Sequence, residues 1–367
     1  MSAIEFRDVT KEYRRKPVLE GLNFAIEAGT FTVIFGAPGC GKSVLLRLMI
    51  GLEKPTSGHI FMRDQEVTNV APGERNIGYV PQMFALYPHY KVYDNIAYPL
   101  NLMGLPHRDA DSIVRQAAEM LHITHLLQKY PDQLSGGEKQ RVALARGIVK
   151  QTNLYVLDDP LTGLDFKLRE QLFDDLQATQ RALRATFVYT TSDPLEALML
   201  AEHIIVLDGG RVIEAGPLGQ VYAAPQHART MELLGFPTAN FLKGTVETRD
   251  GQVWCKTALF EFRLNGDQTS SVTKGQEVSV AVRPQALKLN PEQAEGLCIF
   301  PAQVVLQEDL GGELVVHLES GGLHLLSVVR HDQAHLFSDS AVQVGIDGTE
   351  CVLYAPESGQ RIGQGAK

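Results

Sequence analysis

The sequence predicts an α/β domain over residues 1–236 and an all-β domain over residues 237–367. Three observations carry this. Residues 1–235 alternate short β-rich runs with helical patterns. Several of those β runs are apolar throughout, as in strands covered on both faces of a parallel sheet. From Asn240 onward the pattern changes to short alternating strands separated by glycine-rich turns, the signature of an all-β fold.

In chain order, strands are expected at FTVIF (31–35), NIGYV (76–80), NLYVLD (153–158), TFVYT (186–190) and HIIVLD (203–208). Helices are expected at Ser43–Leu52, Asp109–Leu127, Gly137–Lys150 and Phe166–Leu183. The pattern shifts near Gly235-Phe236-Pro237, and KGTVET, GQVWCKT, FEFRL, EVSVAVRP, AQVVLQE, ELVVHLES and LHLLSVV follow as strands. Segments 240–292 and 301–355 read as two related β units.

Composition narrows the function. The 34 Lys and Arg against 43 Asp and Glu give a net charge of −9, which disfavours a nucleic-acid partner. No apolar run reaches the roughly 18 residues of a membrane span, and MSAIEFRDVTKEYRRK lacks the apolar core of a signal peptide. Cys40, Cys255, Cys298 and Cys351 form no CxxC pair, which argues for a reducing compartment.

Residues Gly36-Ala37-Pro38-Gly39-Cys40-Gly41-Lys42-Ser43 match the phosphate-loop pattern, after an apolar strand and at a helix start. Gly39 and Gly41 permit backbone conformations that aim successive N–H groups at phosphate oxygens. The helix adds the positive end of its dipole. Lys42 is placed to neutralise the β- and γ-phosphates and Ser43 to ligate Mg²⁺. Cys40 reads as a small filler of the loop.

LYVLDDP (154–160) is a buried strand ending in two carboxylates, where ligands bind in open α/β sheets. Asp158 is placed to hold Mg²⁺ through water and Asp159 to lie near an attacking water. In LSGGEKQ (134–140), Ser135, Gly136, Gly137 and Glu138 open a helix whose free N–H groups form a second anion site. Ser135 also reads as an ordinary helix cap. Two phosphate-binding helix starts in one chain suggest a composite site shared between subunits.

This ordered set, with Gln82 in YVPQ and LTGLD (161–165), resembles an ATP-binding-cassette ATPase. FALYPH (84–89), YDNIAYPL (93–100) and RPQAL (283–287) extend the resemblance to ATPase subunits of bacterial carbohydrate importers of the maltose and glycerol-3-phosphate type. The resemblance implies a P-loop core with a helical subdomain around 90–150 and a C-terminal OB/TOBE-like β-barrel domain. It implies ATP and Mg²⁺ as ligands, with Tyr13 stacking on adenine and Val44 near the α-phosphate. By the same resemblance Gln82 contacts Mg²⁺ and water, Ser135–Glu138 cap the partner's γ-phosphate and Asp165 lies at the dimer seam. Residues 84–89 would face two integral membrane permease subunits, although Phe84, Leu86 and Tyr87 also fit a core. An extracytoplasmic solute-binding protein would act indirectly, and the chain would sit at the cytoplasmic face of the inner membrane.

Three positions depart from the family pattern: Asp159 replaces a glutamate base, Ser192 replaces a histidine, and Val44 replaces a hydroxyl residue. Together they imply an own site that binds ATP and hydrolyses it poorly, paired with a paralogous second ATPase. Glutamate at position 138 leaves the two glycine N–H donors free. A homodimer with slowed hydrolysis is the alternative. A soluble ATP-dependent machine of DNA repair or translation and a non-hydrolysing nucleotide sensor are further readings. His122 and His125 read as sharing a helix face, and Glu308 and Asp309 as solvated turn residues.

Overall fold

Strands β1 (Ser2–Tyr13) and β2 (Lys16–Glu27) form an antiparallel hairpin. Its two-residue turn puts Arg14 and Arg15 at φ 51° and 65°, the twist that tight hairpins favour. The computed structural model describes residues 1–265, 272–291, 296–332 and 340–366. The chain continues through β3 (Phe31–Phe35), α1 (Lys42–Ile50), β4 (Ser57–Met62), β5 (Gln65–Glu66) and β6 (Gly78–Val80). Helices α2 (Val92–Leu102), α3 (His107–Met120) and α4 (Gly136–Ile148) then lead to β7 (Leu154–Asp158). After α5 (Phe166–Leu183) come β8 (Thr186–Thr191), α6 (Pro194–Leu200), β9 (His203–Asp208) and β10 (Arg211–Pro217).

The central sheet runs β10-β9-β3-β8-β7-β6, parallel except at β10. Every residue of β3, β7 and β8 is buried, which is why β3 and β7 are apolar without alternation, while β8 buries Thr186, Thr190 and Thr191. Ile34, Val156, Val188 and Ile205 pack with Leu45, Leu46 and Met49 of α1 in one core. The second sheet of this unit, β2-β1-β4-β5, is antiparallel. Sequence alternation does not reveal it, because register shifts between Phe6, Val9, Lys11 and Glu12 break the period of two.

Helices α7 (Leu218–Ala223) and α8 (Ala228–Leu233) precede the β region. Its strands are β11 (Asn240–Arg249), β12 (Gln252–Thr257), β13 (Glu261–Arg263), β14 (Glu277–Val282) and β15 (Lys288–Leu289). They continue as β16 (Leu297–Asp309), β17 (Glu313–Ser320), β18 (Leu323–Arg330), β19 (Ala341–Asp347), β20 (Val352–Tyr354) and β21 (Arg361–Gln364). One sheet runs β13-β12-β11-β14-β20-β21 and the other β15-β19-β16-β17-β18. A bridge between Leu264 and Gly365 joins the two edges of the first sheet, giving the barrel-like closure expected. Val246, Val280, Phe300, Val316 and Val344 share the core between the sheets. Contacts divide the chain into Met1–Gly219 and Gln220–Lys367, so α8 groups with the β region. Met231 of α8 packs on Ala281, Val352 and Tyr354, and Arg283 donates to the carbonyls of Leu234 and Tyr222 at 3.0 and 2.8 Å.

Three sequence expectations are corrected. The helix expected to reach Leu127 stops at Met120, and His122 adopts φ 57°, so His122 and His125 do not share an α-helical face. Glu308 and Asp309 close strand β16 opposite Val315 and Leu314 rather than lying in a turn. Segments 240–292 and 301–355 are not separate units, since β20 joins β14 and β15 joins β19; residue 292 itself lies outside the described residues. Among the described residues no helix is long and apolar enough to cross a membrane.

One buried cation fixes the far end of α1. Nη1 of Arg75 donates to the carbonyls of Leu48 and Met49, both at 2.7 Å, and Nε donates to that of Val70 at 3.0 Å. These α1 carbonyls belong to the last turn, where only the C-cap N–H of Gly51 reaches the Leu48 carbonyl, at 3.3 Å, and where the negative end of the helix dipole lies. Replacing Arg75 with Met should destabilise the α/β unit by about 3 kcal/mol, since charge-assisted bonds are worth about 1.5–3 kcal/mol each and their acceptors stay buried. Urea unfolding followed by a probe in residues 1–219 checks this; an unchanged midpoint would contradict it.

Candidate functional site

Strand β3 ends at Phe35, and residues 36–41 turn directly into α1. Gly41 has φ 111°, and a Cβ there would lie 2.7 Å from Leu19 Cδ2, so both backbone and space require glycine. Pro38 and Gly39 are exposed at the crest, Gly36 is buried, and Ala37 is half-buried. Nζ of Lys42 folds into the loop, donating to the carbonyls of Gly36 at 2.7 Å and Ala37 at 3.1 Å. Cys40 is buried beneath, and burial pushes its thiol above the usual range, so it packs as an inert filler. Val44 rests half-buried against the core of α1.

The end of β7 meets this loop. Ser43 Oγ donates to Asp158 Oδ1 at 3.1 Å, and Thr190 Oγ1 on β8 donates to the same oxygen at 3.0 Å. Asp158 is 5 % exposed, and desolvation raises its carboxyl above the ordinary range despite both hydroxyls. A buried carboxylate beside a serine hydroxyl is a hard oxygen pair, and it fits a divalent cation such as Mg²⁺. Asp159 follows in the left-handed region, φ 44°, with its N–H donating to Thr190 Oγ1 at 3.0 Å. That turn brings its carboxylate to Gln82, whose Nε2 donates to Oδ2 at 3.3 Å. Ser192 lies half-buried two residues beyond Thr190. Hydrogen bonds thus connect Ser43, Asp158, Thr190, Asp159 and Gln82 in one line.

Other expected residues lie apart from this line. Tyr13 is half-exposed, its hydroxyl bonded to Glu53 and its ring 5.0 Å from Lys11 Nζ. Burial, then Glu53, raises its phenol to about 12. Ser135 and Glu138 form a capping box at the start of α4: Glu138 N–H donates to Ser135 Oγ at 3.3 Å, and Ser135 N–H to Glu138 Oε2 at 2.7 Å. The N–H groups of Gly136 and Gly137 are the first two of the helix, with no intrahelical carbonyl to meet. A Cβ on Gly137 would lie 2.2 Å from Leu168 Cδ2, so the start of α4 packs tightly on α5. Asp165 caps α5, its Oδ1 accepting the Leu168 N–H at 3.0 Å.

Sequence reasoning missed two organising residues. Asn95 is fully buried and its Nδ2 donates to the carbonyls of Tyr87, Tyr90 and Lys91, while Oδ1 accepts the Tyr87 N–H. Arg146 donates to the carbonyls of Phe84 and Ala85 at 2.9 and 2.7 Å, with Tyr87 beneath its guanidinium at 5.7 Å. Together they hold segment 84–89, leaving Phe84, Leu86 and Tyr87 half-buried and Met83 exposed. Asn95 just ahead of the apolar IAYPL was the available signal.

Residues 19–162 match the family described as ABC transporter, and residues 280–353 match the TOBE domain. The chain is 35 % identical over 358 residues to the maltose/maltodextrin import ATP-binding protein MalK of Vibrio vulnificus, covering 96 % of this chain and 95 % of that protein. It is 35 % identical over 360 residues to the trehalose/maltose import ATP-binding protein MalK of Thermococcus litoralis, covering 95 % and 94 %. Among solved structures, cbiO1 of Clostridium perfringens, described as part of the transporter complex cbiONQ, aligns with TM-score 0.57 and 28 % identity over 61 % of this chain and 91 % of its own. The cassette MJ0796, solved as a dimer bound to ADP and Pi, aligns with TM-score 0.54 and 28 % identity over 59 % and 98 %.

The Ser135 N–H holds the Glu138 carboxyl below the usual range. A lowered carboxyl stabilises the fold above its unfolded pKa of about 4.3, and that contribution fades as pH falls through the lower folded value. Glu138→Ala should therefore cost about 1 kcal/mol at pH 7 and less toward pH 3. Thermal melts of both proteins across that range check the convergence; a pH-independent gap would count against it.

Proposed function

The chain belongs to the ABC transporter family of import ATP-binding proteins, and from that membership we propose that it is the ATP-binding subunit of a sugar importer. The observation carrying this is the phosphate loop joined through Ser43 to a buried Asp158 at the adjacent strand end. Maltose- or trehalose-type saccharides are the solute class named for its relatives. In this reading Lys42 leaves the carbonyls of Gly36 and Ala37 for the β- and γ-phosphates, where a charge-assisted bond is stronger than a neutral one. The loop N–H groups and the start of α1 orient the triphosphate. Ser43 and Asp158 would hold Mg²⁺, Asp158 through water; bound there, the cation supplies charge neutralisation and polarises phosphate oxygens. Val44 contacts the nucleotide from the first turn, and Tyr13 takes the adenine side once its Glu53 bond is broken.

Ser135, Gly136, Gly137 and Glu138 would cap the nucleotide of a second ATPase subunit, with Asp165 at the seam. Segment 84–89, stiffened by Asn95 and Arg146, would dock on two membrane permease subunits at the cytoplasmic face, with Gln82 relaying that contact to Asp159. A solute-binding protein outside the membrane would deliver the sugar.

The finer proposal is that this chain's own site turns over slowly. Asp159 is one methylene shorter than glutamate, and Ser192 offers no imidazole to a γ-phosphate. A 1 Å misplacement can cost about 10²-fold in rate. The chain would then serve as the binding half of a heterodimer, whose paralogous partner hydrolyses at the site capped by Ser135–Glu138. A homodimer with slowed turnover is the competing reading.

Two measurements test this. Lys42→Ala should lose most Mg-ATP affinity by equilibrium dialysis; unchanged affinity would refute the phosphate-loop assignment. Restoring Asp159→Glu together with Ser192→His should raise single-site ATPase turnover by about 10²-fold. If the unaltered chain, purified alone, already hydrolyses ATP at the rate of the restored one, the impaired site is wrong.

A further inference from the structure

The Gln220–Lys367 unit contains a cavity of about 620 Å³ on the outward face of β11, β12 and β14. Strand register places its polar side chains in two adjacent rows. Thr245 stands between Lys256 on one side and Glu277 on the other, and Lys243 stands opposite Ser279 in the next row. Diagonal neighbours on an antiparallel sheet lie about 7–8 Å apart, so Lys243 and Lys256 reach one common point.

None of these five side chains has a hydrogen-bond or ion-pair partner within 4 Å among the described residues, although acids stand nearby. Glu247 and Glu261 are both held by Arg249, at 2.6 Å and 3.0 Å. That arginine fork engages both acids: Glu247 also lines the cavity, and Glu261 stands directly across from Lys256 and acts on it only beyond ion-pair distance. Thr257, also in the lining, is already committed, its hydroxyl donating to the Phe260 carbonyl at 2.8 Å. The free set is thus two cations, two hydroxyls and one carboxylate.

We propose that this cavity binds a small phosphorylated sugar, with Lys243 and Lys256 on its phosphate and Thr245, Ser279 and Glu277 on its hydroxyls. Two point charges suit a dianion better than a single-charge carboxylate. The Glu277 carboxylate would repel a bare anion, yet it accepts hydrogen bonds from a neighbouring diol. The volume falls within the range of about 300–1,000 Å³ typical of small-molecule sites. Binding here needs no nucleotide and would give the β unit a chemical signal of its own, whatever the cassette does.

Calorimetry on the full chain tests this, with glucose 6-phosphate as probe and glucose and inorganic phosphate as controls. The protein is first saturated with Mg-ADP, which fills the phosphate loop and reports on that site separately. Glucose 6-phosphate should bind one site per chain, with both controls at least about tenfold weaker. Lys243→Gln with Lys256→Gln should weaken it at least about tenfold while leaving Mg-ADP affinity unchanged. Glu277→Gln, at an exposed position, should weaken glucose 6-phosphate but not inorganic phosphate. The assignment is overturned by no saturable binding, by affinity indifferent to both lysines, or by inorganic phosphate binding as tightly as the sugar phosphate.

Discussion

The α/β unit depends on one carboxylate placed where carboxylates are least comfortable. Asp158 ends a strand with no exposed residue, and burial raises its proton affinity. Its stabilising contacts are two hydroxyls, one from the first turn of α1 and one from β8. Those bonds tie three neighbouring elements at one point. The parallel sheet makes this possible, because its adjacent strands β7, β8 and β3 all deliver their carboxyl ends to the same edge. The phosphate loop is the continuation of one of those strands, so its position is dictated by the same sheet.

Much of this was legible in the sequence, and the reason differs between parts. FTVIF and HIIVLD appear as strands with the boundaries expected, since full burial demands continuous apolar residues. The GAPGCGKS loop is legible because its chemistry fixes spacing as well as residue type. The hairpin β1–β2 was not, because bulges spoil its alternation and its outer face carries charges. Nor was the line from Ser43 to Gln82 visible as a line. It depends on Thr190, a residue type common in strands, and on the left-handed turn at Asp159, which side chains other than asparagine and aspartate rarely adopt. The capping box at Ser135 and Glu138 shows the opposite situation, where an ordinary local rule and a functional motif use the same residues.

Local polar bonds also decide how the surface near Gln82 is presented. Segment 84–89 has little regular structure, yet one buried amide and one guanidinium satisfy four of its backbone groups and the carbonyls of its neighbours Tyr90 and Lys91. Such bonds are retained only when the whole set is satisfied, since an unmet buried polar group is costly. The result is a stiff, half-buried aromatic surface built on a loop rather than on a helix.

The bridge from Leu264 to Gly365 has a consequence for how the β unit comes into being. Leu264 lies early in the unit and Gly365 near its close, so the six-stranded ring is sealed by residues a hundred positions apart. Asn265 and Ala366 add two backbone bonds across the same seam, at 3.0 and 2.8 Å. Contacts this distant form late, because the intervening chain must first surrender its freedom. On the ribosome the first strands would therefore emerge with open edges and wait for β21 before the ring could shut. During that interval the hydrophobic inner face, with Val246, Val280 and Phe262, stays uncovered and open to association.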